Sequence, residues 1–186
     1  MTLNEMKQKI LKLIEEYDKA NNTEFTNDPD IAAKMNEVIN QVMYELSRVK
    51  KIPDYTELDV KENNLIRFKD ITTEHEIYQL DMVKGIKCEY KAQGTIIKAL
   101  EDGTAEIEYF RYPERITDTN AATYEFELSC DVLECMPYGV AADVLKSDVS
   151  NAYGNVYAQR YEQLKSQLDI RYNTGAIEFE EGVIYE

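Results

Sequence analysis

The spacing of the apolar residues changes twice along the chain, and these changes constrain the fold more than any other feature. In the first third, apolar residues recur at helical intervals in two stretches. They are Leu3, Met6, Ile10, Leu13, Ile14 and Tyr17 in the first, and Ile31, Met35, Val38, Ile39, Val42, Met43, Leu46 and Val49 in the second. Thr2 with Glu5, and Asp28 with Pro29, are typical helix starts. The sequence therefore predicts two amphipathic helices, which need further helices to cover them.

The middle of the chain has an apolar period of two, which is typical of half-buried strands. Short alternating stretches cover residues 65–68, 76–80, 86–90, 94–100, 105–112 and 124–128. The dipeptide Asp102-Gly103 lies between two of them and favours a hairpin turn. We expect an antiparallel β-sandwich or a small barrel, because the strands are short and the turns are frequent.

Helical spacing returns after the strands, over residues 131–145 and 148–168. The predicted fold class is therefore α+β. Residues 1–53 and 131–172 are expected to form a four-helix bundle, and residues 54–130 a β insertion domain between the second and third helices.

The last residues, 173–186, are predicted to form an extended C-terminal arm. Acidic and apolar residues alternate there, as in Ile177-Glu178-Phe179. The arm is too short to make a core of its own. It either frays or adds to the surface of another protein, where an extended segment can pair as a strand or fill pockets.

Charge excludes several classes of partner. The chain has 36 Asp and Glu against 21 Lys and Arg, which gives a formal net charge of −15. This balance argues against a protein that grips nucleic acid by neutralising phosphates, and against docking on anionic membrane surfaces. No apolar run approaches the ~20 residues of a membrane-spanning helix, and the N-terminus lacks an apolar signal core. We expect a soluble protein that is made and used without crossing a membrane.

Few residues are suited to metal or thiol chemistry. The three cysteines, Cys88, Cys130 and Cys135, are odd in number and are accompanied by a single histidine, His75. A closed disulfide framework, a zinc site with four ligands and a Cys–His catalytic pair are therefore all disfavoured. Buried, reduced thiols are the expected alternative, with no metal and no cofactor.

Glu106 and Glu108 are the best candidates for paired catalytic carboxylates. They point to one face of a predicted strand, as the acid and base of a small hydrolase would. Their alternation with Ile107 and Tyr109 is better explained by an exposed acidic sheet face. Since no catalytic centre emerges from these residues, we expect a non-enzymatic role in assembly.

Tyrosine is unusually frequent, with 14 copies against five Phe and no Trp. Tyr153, Tyr157 and Tyr161 recur every four residues on the last predicted helix. Tyrosine offers an apolar ring with a polar tip, and it is enriched where proteins meet. The spacing fits either a broad core face or a contact between subunits.

Two stretches carry a resemblance to a known family. The first is IEYFRYPERITD at residues 107–118, continued by FEL at residues 126–128. The second is the helix MPYGVAADVL at residues 136–145, followed by Ala152-Tyr153, Arg160-Tyr161 and Leu164. With these motifs, and in the order of its elements, the chain resembles the head–tail adaptor (connector, neck) proteins of tailed bacteriophages, of the tail tubular protein A type.

The resemblance implies a structural virion protein. It would form a homo-oligomeric ring, commonly of twelve copies, under the portal protein and around part of the DNA passage. It would be assembled in the host cytoplasm and lie in the neck of the virion, with its β module facing the tail, nozzle or neck proteins. By this analogy the arm would insert against the portal through Ile177, Phe179, Val183, Ile184 and Tyr185.

Charge is compatible with such a ring. Carboxylates lining a channel repel phosphates at close range, so DNA would pass without specific binding. Copies that each carry −15 also repel one another, so their contacts must be apolar or must pair the few cations with neighbouring acids. The predicted subunit interface therefore comprises Tyr153, Tyr157, Tyr161, Arg111, Arg115 and Arg160.

Three alternatives remain open from the sequence. A neck stopper or tail-completion protein would share the location but not the portal-facing arm. A small carboxylate-dependent hydrolase would use Glu106 or Glu108 in a deep pocket. An acidic DNA mimic would space its surface carboxylates like a row of phosphates.

Overall fold

The computed structural model describes residues 1–22, 24–90, 96–146 and 153–168. Over these residues the chain is α+β, as predicted, with four α-helices and two antiparallel three-stranded sheets. The helices are α1 (Leu3–Leu13), α2 (Pro29–Val49), α3 (Cys130–Leu145) and α4 (Tyr153–Lys165). The strands are β1 (Ile52–Val60), β2 (Leu65–Arg67), β3 (Ile77–Lys84), β4 (Cys88–Glu89), β5 (Ile96–Ala99) and β6 (Gly103–Arg111).

The first two helices begin where the sequence predicts. The Glu5 N–H donates to the Thr2 hydroxyl at 3.2 Å, and the Glu5 carboxylate accepts from the Thr2 N–H at 2.8 Å. The Asp28 carboxylate accepts from the N–H groups of Asp30 and Ile31 at 2.8 and 3.1 Å. These bonds satisfy backbone donors that have no partner within a first helical turn.

The first helix ends at Leu13, although the apolar spacing continues to Tyr17. Glu15 has a φ of 63°, in the left-handed region, so the chain leaves the helical path there. Tyr17 still packs against the core, from the loop that follows the helix. The spacing therefore predicted the contact of Tyr17 but not its backbone conformation.

Helix α3 lies at the centre of the helical core and packs against α1, α2 and α4. At Gly139, helix α3 lies close to both α2 and α4. A Cβ atom at this position would lie 2.8 Å from the Tyr161 ring and 3.0 Å from Val42. A residue without a side chain thus lets α2 and α4 approach α3 at this level.

The six strands form two sheets with the orders β1-β6-β3 and β2-β5-β4. Strands β1 and β6 pair over their full length, from Ile52 opposite Arg111 to Val60 opposite Gly103. Buried side chains from both sheets share one apolar cluster, the β core: Val60, Ile66, Leu80, Val83, Ile97, Ala99, Ala105, Ile107 and Tyr109.

Strand β1 was not predicted, because residues 1–53 were expected in the helical bundle and the first strand was expected at residue 65. In the structure Pro53 lies in a strand at the edge of its sheet. An edge strand tolerates proline, which lacks an N–H, because one side of the strand needs no donor. Along β1 the exposed residues Tyr55, Glu57 and Asp59 alternate with half-buried ones, as in other half-buried strands. Most side chains of this strand are polar, so it lacks an alternating apolar pattern.

The prediction of a strand at residues 124–128 was wrong. This segment belongs to neither sheet and instead pairs with the N-terminus through one bridge, between Thr2 and Glu125. The Leu3 N–H donates to the Tyr124 carbonyl at 3.0 Å, and the Phe126 N–H to the Met1 carbonyl at 3.0 Å. Tyr124, Phe126 and Leu128 are buried in the helical core, so the alternation reflects packing against helices.

A buried asparagine holds the chain where it returns from β6 to the helices. Asn40 of α2 donates from Nδ2 to the Ile116 carbonyl at 2.9 Å, and its Oδ1 accepts from the Ile116 N–H at 2.9 Å. Both residues are buried, with exposed fractions of 4% and 3%. One side chain therefore satisfies both backbone groups of a residue that lies outside any sheet or helix.

We predict that Asn40→Ala lowers the free energy of unfolding by about 2–4 kcal/mol, because the buried N–H and C=O of Ile116 lose their partners. Urea denaturation at neutral pH measures the change. Gln41→Ala, at an exposed position of the same helix, is the control and should cost under about 0.5 kcal/mol. Equal losses in the two variants would contradict the assigned role of Asn40.

Candidate interaction surfaces

Glu106 and Glu108 lie on the outward face of β6, opposite the β core. The register places Glu106 between Glu57 and Lys84, and Glu108 between Tyr55 and Met82. The Glu108 carboxylate accepts a hydrogen bond from Lys84 Nζ at 2.6 Å. Together with Glu57 and Asp59 of β1, which are exposed, the two half-buried glutamates form a surface that we call the acidic sheet face: Glu57, Asp59, Glu106 and Glu108.

The cysteines are unpaired and separate. Cys88 is half-buried, Cys130 is exposed and Cys135 is buried. Burial raises the pKa of the Cys135 thiol to about 11 and also raises the pKa of Cys88, so both are protonated at neutral pH. Among the described residues, no group of three or more His, Cys, Asp and Glu side chains is arranged to hold a metal ion.

The three tyrosines predicted for a subunit interface have different surroundings. Tyr161 is buried in the helical core, and burial raises the pKa of its hydroxyl. Tyr157 is half-buried and donates from its hydroxyl to the Leu13 carbonyl at 2.6 Å, which ties α4 to the end of α1. Tyr153 is 67% exposed. Of the three, Tyr153 therefore offers the largest surface to another molecule.

Tyr153 belongs to an exposed strip along α4. Val156, one turn later, is 57% exposed, and Arg160 follows after another turn. Arg160 donates to Gln163 Oε1 at 2.8 Å. We call these four residues the α4 face. Val156 lies three residues after Tyr153, which places both on the exposed side of the helix.

The two other predicted interface arginines make bonds within the chain. Arg111 is 12% exposed, with its Nε 2.9 Å from Asp54 and its Nη2 2.7 Å from Glu127. It thereby joins β1, β6 and the segment that returns to the helices. Arg115 forms a 2.7 Å ion pair with Glu37, in which both side chains are more than half exposed. Arg115 is thus accessible, whereas most of Arg111 is covered.

Part of the tyrosine excess lies at the junction between α2 and the strands. The Tyr112 ring lies 4.6 Å from that of Tyr44 and 4.8 Å from that of Tyr78, measured between centroids. Arg48 donates from Nε to the Tyr112 hydroxyl at 2.8 Å. The Tyr78 hydroxyl donates to the Ser47 carbonyl at 2.9 Å. These contacts attach β3 and the residue after β6 to α2. The number of tyrosines alone did not distinguish this internal role from an interface with another molecule.

The residues predicted to bind the portal all lie outside the described residues. They are Ile177, Phe179, Val183, Ile184 and Tyr185. The described chain ends at Leu168, which is buried in the helical core.

Neither a scan against protein-family models nor a search of curated proteins finds a match for this chain. Among the described helices, none combines the length and the apolar character needed to cross a membrane.

The stability contributed by the contact between Arg111 and Glu127 should depend on pH, which allows this contact to be tested. Burial would raise the pKa of Glu127, but hydrogen bonds from the Arg111 guanidinium and the Glu114 N–H outweigh it and hold this pKa below its usual value. A lowered pKa means that the ionised carboxylate stabilises the fold above pH ~4.3, and that this stability is lost as the pH falls through the lowered value.

We therefore predict that Glu127→Gln lowers the free energy of unfolding by about 1–2 kcal/mol at pH 7, and by much less at pH 3. Urea denaturation at the two pH values measures the difference. Glu125→Gln, at an exposed position of the same segment, is the control and should change little. A loss at pH 3 as large as at pH 7 would show that the charge of Glu127 is not involved.

Proposed function

We propose that this protein is a head–tail adaptor of a tailed bacteriophage, a structural component of the virion neck without enzymatic activity. Copies would form a ring, commonly of twelve, that joins the portal to the tail and surrounds part of the DNA passage. The proposal rests on the resemblance of residues 107–118 and 136–145, on the α+β fold and on the surfaces described above.

We further propose that the four helices, with the segment 112–129 packed on them, form a bundle, and that strands β1 to β6 form a sandwich-like module inserted between α2 and α3. The packing of α3 against the three other helices supports the bundle. The β core, with side chains from both sheets, supports the sandwich. The aromatic contacts between Tyr44, Tyr78 and Tyr112 would fix the module on the bundle.

The observation that carries the proposal is the α4 face. In a chain with a net charge of −15, this exposed strip has Tyr153 and Val156 at its start and Arg160 as its single charge. Tyrosine and arginine are the residue types most enriched in protein interfaces. A neighbouring copy, which is strongly acidic, would find an apolar contact and a cation here instead of further repulsion.

The acidic sheet face suits a surface past which DNA moves. Four carboxylates lie on two adjacent strands, and one of them, Glu108, is partly neutralised by Lys84. Phosphates that come within the screening length of ~8 Å would be repelled, so DNA would not adhere. We propose that this face, or another acidic surface of the ring, lines the passage.

One observation weighs against the hydrolase. Its two carboxyl groups would need a deep pocket, whereas Glu106 and Glu108 lie side by side on the outward face of β6. An acidic DNA mimic would use the acidic sheet face to bind a basic protein and would need no ring. A neck stopper would form a ring but would not bind the portal through its arm.

We predict that the double variant Tyr153→Glu, Val156→Glu does not assemble, because it places two more charges on the α4 face. Native mass spectrometry and electron microscopy of the full chain, alone and with the portal, measure the assembly. Asn155→Glu, Gln159→Glu is the matched control, since it adds the same charge to another exposed side of α4 and should assemble normally. The proposal would be contradicted if the Tyr153→Glu, Val156→Glu chain formed rings, or if the natural chain formed no ring on the portal.

We predict that deletion of residues 173–186 abolishes binding to the portal, because it removes the apolar side chains that would enter portal pockets. Co-sedimentation with assembled portal measures binding. The deletion should leave the melting temperature unchanged, since the described core ends at Leu168. A chain with the same 14 residues in scrambled order is the control for length and charge. Unchanged binding of the deleted chain would count against the arm.

A further inference from the structure

The outward face of the second sheet combines apolar and cationic side chains. Leu65 is paired with Lys98, and Arg67 with Ile96, while Ile66 and Ile97 between them point into the β core. Leu65 is 63% exposed and Ile96 is 47% exposed. Lys69 follows in a short 3-10 turn. We call these five residues the basic-apolar patch: Leu65, Arg67, Lys69, Ile96 and Lys98.

The three cations of this patch form no ion pair with a described acid, which is also true of separate surface lysines such as Lys9 and Lys19, but here they are grouped at one sheet. Elsewhere, seven cations form ion pairs with acids of the same chain: Lys7, Lys50, Lys84, Lys87, Arg111, Arg115 and Lys165. Among the described residues, none of Arg67, Lys69 and Lys98 has a carboxylate within 4.0 Å, although Glu89 is the register partner of Lys98. In a chain with 36 acids, three such cations grouped at one sheet favour an acidic ligand.

The patch also has a recess and a free strand edge. Arg67, Phe68, Lys69 and Ile96 line an open groove of about 400 Å³. Within the described sheet, β2 pairs only with β5, so its other edge has no strand beside it. An extended peptide can add to such an edge through main-chain hydrogen bonds, while its side chains alternate between the two faces.

We propose that the basic-apolar patch binds the C-terminal arm of a second copy of this chain. The arm has the required chemistry: after Arg171 it contains Glu178, Glu180, Glu181 and Glu186 but no Lys or Arg. As a strand beside β2, the arm would present Glu178 and Glu180 on the same face as Arg67. Ile177 and Phe179 would then lie on the side of the β core.

The proposed ring makes a second copy the source of the arm in this proposal. The described residues end at Leu168, in the helical core, and the 18 residues from 169 to 186 span at most about 60 Å when extended. That length permits contact with a neighbouring copy. The inference rests on the proposed function in one respect: it gives the arm a receiving surface on a neighbouring copy, in addition to the portal.

The test uses the full chain and a labelled synthetic peptide of residues 172–186, followed by fluorescence anisotropy at low ionic strength. The natural chain should bind the peptide saturably. Arg67→Glu, Lys98→Glu should weaken binding at least tenfold, while Lys9→Glu, Lys19→Glu, the same charge change at exposed positions outside the sheets, should not. A peptide with Glu178→Lys and Glu180→Lys should bind the Arg67→Glu, Lys98→Glu chain more tightly than it binds the natural chain.

Sedimentation velocity of the full chain identifies the source of the bound arm. Association that depends on concentration and salt, and is lost in Arg67→Glu, Lys98→Glu, supports a second copy. No saturable peptide binding, an equal effect of the control variant, or a monomer whose own arm occupies the patch would overturn the inference. It would also be overturned if the patch variant lost binding to duplex DNA instead. Because peptide binding is measured without portal or ring, its failure leaves the tests of the adaptor intact.

Discussion

The structure depends on the way the chain returns from the strands to the helices. After β6, residues 112–129 run back along α2, and Asn40 holds the N–H and C=O of Ile116 in a buried site. The Tyr124 hydroxyl donates to the Glu114 carbonyl at 2.6 Å within the same segment. The ion pair between Arg111 and Glu127 joins the start of this segment to its end. Since a buried backbone group without a partner costs about 1–3 kcal/mol, these contacts favour a single path for the return.

This path determines which surfaces are available for assembly. The segment delivers Tyr124, Phe126 and Leu128 to the helical core and starts α3 at Cys130. Gly139 of α3 then lets Tyr161 approach closely, so α4 lies with one side on α3 and with Tyr153 and Val156 exposed. The exposure of the α4 face is thus a consequence of packing that begins at the end of β6.

The sequence predicted the elements whose signals are local. The caps at Thr2 and Asp28 predicted the starts of α1 and α2. The hairpin predicted at Asp102-Gly103 was wrong, because Gly103 lies in β6 and pairs with Val60, and β5 and β6 belong to different sheets. Strand β1 was missed because its stability comes from pairing with β6, about 50 residues later, and not from its own mostly polar residues. The roles of Tyr161 and Arg111 were equally hidden, since a tyrosine or arginine has the same pattern whether it bonds within the chain or with another copy.

Because the chain is strongly acidic, the positions of its cations indicate which surfaces can contact another copy. Lys50, Lys84 and Arg111 are bound to acids of the same chain and stabilise local contacts. Three other cations lie beside exposed apolar side chains: Arg160 on the α4 face, and Arg67 and Lys98 on the basic-apolar patch. Repulsion between copies is smallest where acids are few, so contacts that bring strongly acidic subunits together must be concentrated on such surfaces.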